Sequence, residues 1–199
     1  MTLDEAMDFS SAEVFSEPFR YFVSPSGFSD RVGLGVLSWL ETGAPWKLIE
    51  TDFYEQFEFS LLDAETPASL AFLREETFLG NLRRKMEELF RARLGGRVDV
   101  TAHKLVPGQR IRVHNDYIAG GETHRLLVQL NRGWKDADGG FLLLFNSPDP
   151  AHVHRVLRPL NNTVVGFAIS PESNHAVSTV HGGERFTLVY SFYDRLGDS

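Results

Sequence analysis

VDVTAHKLV (98–106), QRIRVHNDY (109–117), HRLLVQL (124–130), GGFLLLF (139–145), HRVLRPL (154–160), NTVVGFAI (162–169), HAVSTVH (175–181) and RFTLVYSFY (185–193) are eight short β-prone runs in the second half of a 199-residue chain. Pro107-Gly108, Gly120-Gly121, Asp138-Gly139-Gly140, Asn161-Asn162 and Gly182-Gly183 punctuate them, and these are residues of tight turns. The pattern predicts a mainly β fold with a jelly-roll core, a double-stranded β-helix over residues 98–194. Helices come first and strands later, with no βαβ rhythm, which argues against a doubly wound sheet.

Outward from that core, residues 17–97 read as mostly helical support. Phe19-Arg20-Tyr21-Phe22-Val23 is a short β-prone run stopped by Ser24-Pro25-Ser26-Gly27. Ser29 is placed as the N-cap of a helix carrying Val32, Val36, Leu37 and Leu40, which ends at Thr42-Gly43-Ala44-Pro45. Trp46 to Leu62 reads as extended. Its aromatic cluster from Phe53 to Phe59 is assigned to packing against the jelly roll, with one wall of a substrate cleft as the other reading. A second helix is expected to open at Thr66-Pro67, to break near Gly80-Asn81 and to stop at Gly95-Gly96. Its Arg-Arg-Lys and Glu-Glu runs, three or four residues apart, read as a solvated helix face. Residues 1–16 are polar and read as a flexible tail, which leaves 17–199 as one domain.

The formal net charge is −7. This argues against nucleic acid as a partner, because such surfaces are basic. No cysteine is present, so disulfides, zinc–thiolate sites, iron–sulfur clusters and thiol nucleophiles are excluded. The acidic start lacks the basic and apolar stretches of a signal peptide. No apolar run has the length of a membrane span. A cytoplasmic protein with no membrane partner is the expectation, and the oligomeric state is not written in the sequence.

Two of the seven histidines sit in informative company. His114-Asn115-Asp116 is an H-x-D triplet at the end of a strand-like run, and positions i and i+2 of an extended chain project to the same side. His175 lies 59 residues after Asp116 and begins a late β-prone run. Two imidazoles and one carboxylate on one face of a metal form a facial triad that leaves the opposite positions open. Arg185 follows His175 by ten residues, with Thr187 two beyond it. An arginine opening an apolar strand demands an anion, either an internal Asp or Glu or the carboxylate of a bound molecule. Its planar fork suits a carboxylate, and Thr187 adds a hydroxyl on the same face.

H-x-D, a distant His, Arg ten residues on and an R-x-T are together similar to the 2-oxoglutarate- and Fe(II)-dependent oxygenases. PGQRIRVHNDY, DGGFLLLF and HAVSTVHGGERFTLVYSFY resemble the prolyl-4-hydroxylase-like branch over residues 98–194. PWKLIETDFYEQFEFSL resembles bacterial members that tailor ribosomally made peptides. The resemblance implies Fe(II) held by His114, Asp116 and His175, with 2-oxoglutarate and O₂ as co-substrates. It implies Arg185 on the far carboxylate, helped by Thr187. The tyrosine common two residues before Pro-Gly in that branch is Leu105 here, so another residue must take its place, with Arg125 and Gln129 as candidates.

The implied reaction is hydroxylation of an amino-acid side chain in a peptide or protein. Hydroxylation of a free amino acid or small metabolite is the alternative, and a cupin-like binding protein without turnover is a third reading. The H-x-H pair His152 and His154 lies in or beside a loop and lacks the glutamate of a cupin. His181 reads as a turn residue, and His103 and His124 as surface groups, with a place at the substrate mouth as the other reading.

Overall fold

A computed structural model describes residues 1–51 and 54–195. One sheet contains β1 (Glu13–Phe15), β2 (Tyr21–Ser24), β3 (Lys47–Glu50), β4 (Glu55–Ser60), β5 (Leu94–Leu105), β7 (Glu122–Gln129), β10 (Val164–Ala168) and β12 (Arg185–Asp194). Its order is β1-β2-β10-β7-β12-β5-β4-β3. A second sheet has the order β6-β11-β8-β9, from β6 (Ile111–His114), β8 (Leu142–Phe145), β9 (Val153–Leu157) and β11 (His175–Val177). Every pairing is antiparallel. This is the expected jelly roll, and each of the eight β-prone runs supplies a strand.

Two apolar clusters follow from the period-2 alternation of β12. Phe186, Leu188, Tyr190 and Phe192 turn to one face of the large sheet and pack with residues of three helices, α1 (Leu3–Ala6), α2 (Asp30–Thr42) and α3 (Glu76–Phe90). Val189 turns the other way, with Leu105, Leu127 and Phe167, towards Leu142, Leu144 and Val177 of the small sheet. The helices thus cover the outside of the large sheet. The space between the sheets holds the second core and the cavity described below.

Several expectations need correction. Residues 1–16 are not a free tail. Thr2 and Glu5 cap α1 reciprocally, and Leu3, Ala6, Met7 and Phe9 are buried in the helix-side core. The second helical region breaks at Glu75, between a 3-10 segment (Ala68–Arg74) and α3, rather than at Gly80. Gly80 stays helical because α3 buries Phe78, Leu79, Leu82, Met86 and Phe90. That burial outweighs a glycine penalty of about 1 kcal/mol. Gly95 and Gly96 lie inside β5. A Cβ at Gly95 would stand 2.9 Å from the Asp194 carbonyl oxygen, so the glycine serves close strand approach. The charged face of α3 is solvated as expected, with Arg83–Glu87 and Lys85–Glu88 pairs.

Trp46 stacks on Phe186 and meets Phe59 edge-on, the packing role foreseen for the aromatic segment; Phe53 lies outside the described residues. No described helix is long and apolar enough to cross a membrane.

His124 is buried against Phe90, with ring centroids 4.9 Å apart, not on the surface. Burial pushes its pKa from 6.5 down to about 4. Between those values the unfolded chain binds the proton more readily, so stability falls as pH drops through that window. Denaturant unfolding between pH 7 and pH 4.5 should show a loss of roughly 1–3 kcal/mol from this group. His124→Phe should flatten that part of the slope, and an unchanged slope would place the acid-sensitive group elsewhere.

Candidate metal centre

His114 ends β6 and His175 begins β11, and the two are cross-strand partners. The strand pairing therefore brings residues 61 positions apart face to face, with imidazole centroids 4.2 Å apart. Asp116 completes the group, and one ligand atom from each of the three lies within 4.8 Å of the others. The convergence differs from the expected extended-strand geometry. Asp116 has φ 59, a left-handed conformation rare for a non-glycine residue. That turn folds its carboxylate back beside the rings. Around it, Ser173 donates to the Asn115 carbonyl at 2.8 Å and the Asn115 amide to the Pro171 carbonyl at 3.0 Å, pinning the H-x-D turn to the loop that carries His175.

Hydrogen bonding fixes the tautomers. His114 Nδ1 lies 2.8 Å from the Arg112 carbonyl, and His175 Nδ1 lies 2.8 Å from the Ser173 carbonyl. A carbonyl only accepts, so each Nδ1 carries hydrogen. Each Nε2 then faces Asp116, at 3.3 Å from Oδ1 for His114 and 3.1 Å from Oδ2 for His175. Burial lowers the His175 pKa despite the carboxylate beside it, which favours the neutral ring. Asp116 is held below the usual carboxylate range, against its own desolvation, and with both rings neutral the Arg125 guanidinium is the cation that does so. Lone pairs of a neutral imidazole and an ionised carboxylate therefore face one another at hydrogen-bond distance. A cation between them resolves the conflict, and the donor set of two nitrogens and one oxygen suits Fe(II).

The trio opens into a cavity of about 290 Å³. Arg185, Thr187, Val189 and Ser191 of β12 line it, with Thr101, His103 and Leu105 of β5, Arg125 and Leu127 of β7, and Phe167 of β10. Arg185 is 4% exposed. Its Nε donates to the Gly140 carbonyl at 2.8 Å and Nη1 to Thr187 Oγ1 at 2.7 Å. Thr187 then donates to Gln129 Oε1 at 3.0 Å, so Gln129 stands one bond behind the cavity wall. Among the described residues no carboxylate pairs with Arg185, and burial alone lowers its pKa to about 10. It remains a guanidinium near neutral pH. Gly140 has φ 65, and a Cβ there would lie 2.9 Å from Arg185 Cδ, so the glycine makes room for this side chain.

Arg125 is placed differently from the expectation that paired it with the co-substrate. It donates to Asp116 at 2.6 Å and to Glu122 at 2.8 Å. Its register partner on β12 is Ser191, six residues from Arg185 (191 minus 185), about 20 Å of strand. The two arginines do not form one clamp. His152 and His154 are exposed and bond Ser147 and Asn146, and His181 is exposed just before the bend at Gly182-Gly183.

His103, for which the sequence leaves the surface and the substrate mouth as the two readings, lines the cavity, where burial drives its pKa down to about 3. Tyr54, of the aromatic cluster for which a cleft wall was the other reading, also lines it, as do Gln56, Glu58 and Glu122, which were not singled out from sequence. The available signal was the alternation in EQFEFS, which sets Gln56 and Glu58 on the face opposite Phe57 and Phe59.

His114→Ala, Asp116→Ala and His175→Ala should each lower Co(II) or Fe(II) affinity by more than the about 10–100-fold typical of outer-shell changes, with thermal unfolding nearly unchanged. The double change His152→Ala and His154→Ala should leave metal stoichiometry unaltered. Metal loss in the double variant would move the centre to that pair.

Residues 100–193 match the 2OG-Fe(II) oxygenase superfamily. No curated protein sequence gives a significant match. A prolyl-4-hydroxylase of Pseudomonas putida superposes with a TM-score of 0.70 at 20% identity, covering 88% of this chain and 92% of that one. A 2OG-Fe(II) oxygenase-family oxidoreductase from Burkholderia pseudomallei gives 0.64 at 21% identity, over 89% and 86%. A Trichoplax adhaerens prolyl hydroxylase, in complex with a hypoxia inducible factor oxygen degradation domain peptide fragment, gives 0.68 at 13% identity, over 87% and 83%. The superfamily match over residues 100–193, the His114, Asp116 and His175 group and the shared fold make the chain similar to the 2-oxoglutarate- and Fe(II)-dependent oxygenases.

Proposed function

We propose that the chain hydroxylates an amino-acid side chain in a peptide or protein, with His114, Asp116 and His175 holding Fe(II). Arg185, with Thr187, holds the far carboxylate of 2-oxoglutarate. The observation that carries this reading is a buried guanidinium with no carboxylate partner among the described residues, in the same cavity as the three converging ligands. An unpaired buried cation is expensive, and an anionic co-substrate compensates it.

When bound, Fe(II), 2-oxoglutarate and O₂ supply the oxidising chemistry, and 2-oxoglutarate leaves as succinate and CO₂. The chain positions and shields. The carbonyls of Arg112 and Ser173 keep both Nε2 lone pairs pointed at the centre. Gly140 and Thr187 fix the guanidinium in one orientation, which reduces the ordering needed on binding. Leu127, Phe167, Val177 and Val189 form apolar walls that exclude water. Leu105, at the position of the usual tyrosine, is Arg185's register partner. His103 is the register partner of Thr187, and as a neutral ring it takes the missing tyrosine's polar role.

A side chain as substrate is supported by the cavity's size, just below the range of about 300–1,000 Å³ usual for ligand pockets. Co-substrate and one side chain share that space, and the rest of the substrate stays outside. The Trichoplax adhaerens neighbour, with its bound peptide fragment, supports the same reading. Succinate release and a mass gain of one oxygen, read over peptides and free amino acids, test it. Turnover of free amino acids alone would replace it with the small-metabolite reading. Arg185→Ala should raise the KM for 2-oxoglutarate steeply, a loss of roughly 2–5 kcal/mol for a buried charge pair. An unchanged KM would assign the carboxylate to another cation.

A further inference from the structure

The cavity contains an acceptor pair that neither metal nor co-substrate uses. Gln56 and Glu58 alternate on β4 and face inwards. Gln56 is 3% exposed, and its Nε2 donates to Glu58 Oε2 at 2.7 Å. Its Oε1 is buried without a hydrogen-bond partner, a deficit that native interiors rarely leave unmet. Glu58 is half-buried and forms no ion pair among the described residues. Its strand neighbours across the sheet are His103 and Lys47. His103 is neutral at ordinary pH, and Lys47 is exposed and forms no ion pair with it among the described residues.

The charge balance of the cavity isolates the same residue. Three carboxylates line it, Glu58, Asp116 and Glu122, against two arginines, Arg125 and Arg185. Arg125 is committed to Asp116 and Glu122. Arg185 faces the co-substrate. Fe(II) and a 2-oxoglutarate dianion cancel, so the loaded cavity keeps one negative charge, three minus two, and Glu58 carries it. The −7 net charge of the whole chain acts in the same direction on an approaching substrate.

We propose that Gln56 and Glu58 select a substrate side chain bearing a cationic group, a guanidinium or an ammonium. Its N–H donors satisfy Gln56 Oε1 and the Glu58 carboxylate together. This rests on the hydroxylase reading above and narrows it to basic side chains. It makes Glu58 a specificity-determining residue and Gln56 the group that orients it.

The test uses the full chain loaded with Fe(II) and 2-oxoglutarate. Host peptides of glycine and serine carry one guest residue: Arg, Lys, Gln, Pro or Asp. Binding is measured without O₂, and succinate and a one-oxygen mass gain with it. Arg or Lys guests should bind at least about tenfold tighter than Gln, as expected for a charge-assisted pair rather than a neutral one. Glu58→Gln should erase that preference, and Glu58→Lys should shift it to the Asp guest. Basic guests that bind no tighter than Gln overturn the proposal, as does Glu58→Gln weakening all guests equally. Turnover of the Pro guest, indifferent to Glu58→Gln, overturns it while leaving the peptide hydroxylase reading intact. If free arginine or lysine shows the same dependence on Glu58 and no peptide reacts, the cation site stands and the peptide reading falls.

Discussion

Strand β12 must satisfy two unlike environments at once. On one side Phe186, Leu188, Tyr190 and Phe192 pack under the helices. On the other, Arg185, Thr187, Val189 and Ser191 line the cavity. A slip of one residue in its pairing would bury the arginine among phenylalanines and empty the site. Pairing along nearly the whole strand with both β5 and β7 prevents that slip. The helices of the first half therefore do more than enlarge the core. By covering the outer face they allow β12 to be central and buried, which places Arg185 in a low-dielectric setting where its charge matters.

The metal centre depends on a second arrangement, in which the small sheet supplies both histidines from adjacent strands. Rigid strand pairing sets their separation, while the left-handed turn at Asp116 sets the carboxylate. The strain at that turn is held by the bonds from Asn115 and Ser173. The same short segment thus carries both the ligands and the devices that position them.

How much of this was legible in the sequence differs by kind of signal. All eight β-prone runs became strands because alternation and turn residues are local properties. The H-x-D and the distant histidine stood out because their residue types are those of a metal-ligand set, and the structure brings the three side chains together. Pairings between distant elements left no such mark. The burial of Leu3, Ala6, Met7 and Phe9 depends on β2 and, tens of residues away, on α3. Arg125 looked like a second co-substrate arginine because its strand position faces inwards; only sheet register shows it at the Ser191 level, tied to Asp116 and Glu122. Gln56 and Glu58 were passed over because aromatic residues dominate their segment, although the polar positions alternate cleanly.

Arg125 also shapes how the centre can work. Asp116 Oδ2 accepts from Arg125 and faces His175, while Oδ1 faces His114. The guanidinium keeps the carboxylate ionised in a buried place where it would otherwise take up a proton. It also stops the carboxylate from rotating freely, so Asp116 is preorganised beside the two imidazoles. Because Glu122 shares the same guanidinium, Arg125 is not left as an uncompensated charge when Asp116 turns its lone pairs to a cation. Arg125 pairs with two carboxylates and Arg185, among the described residues, with none, so one wall of the cavity is charge-balanced and the other holds an uncompensated guanidinium.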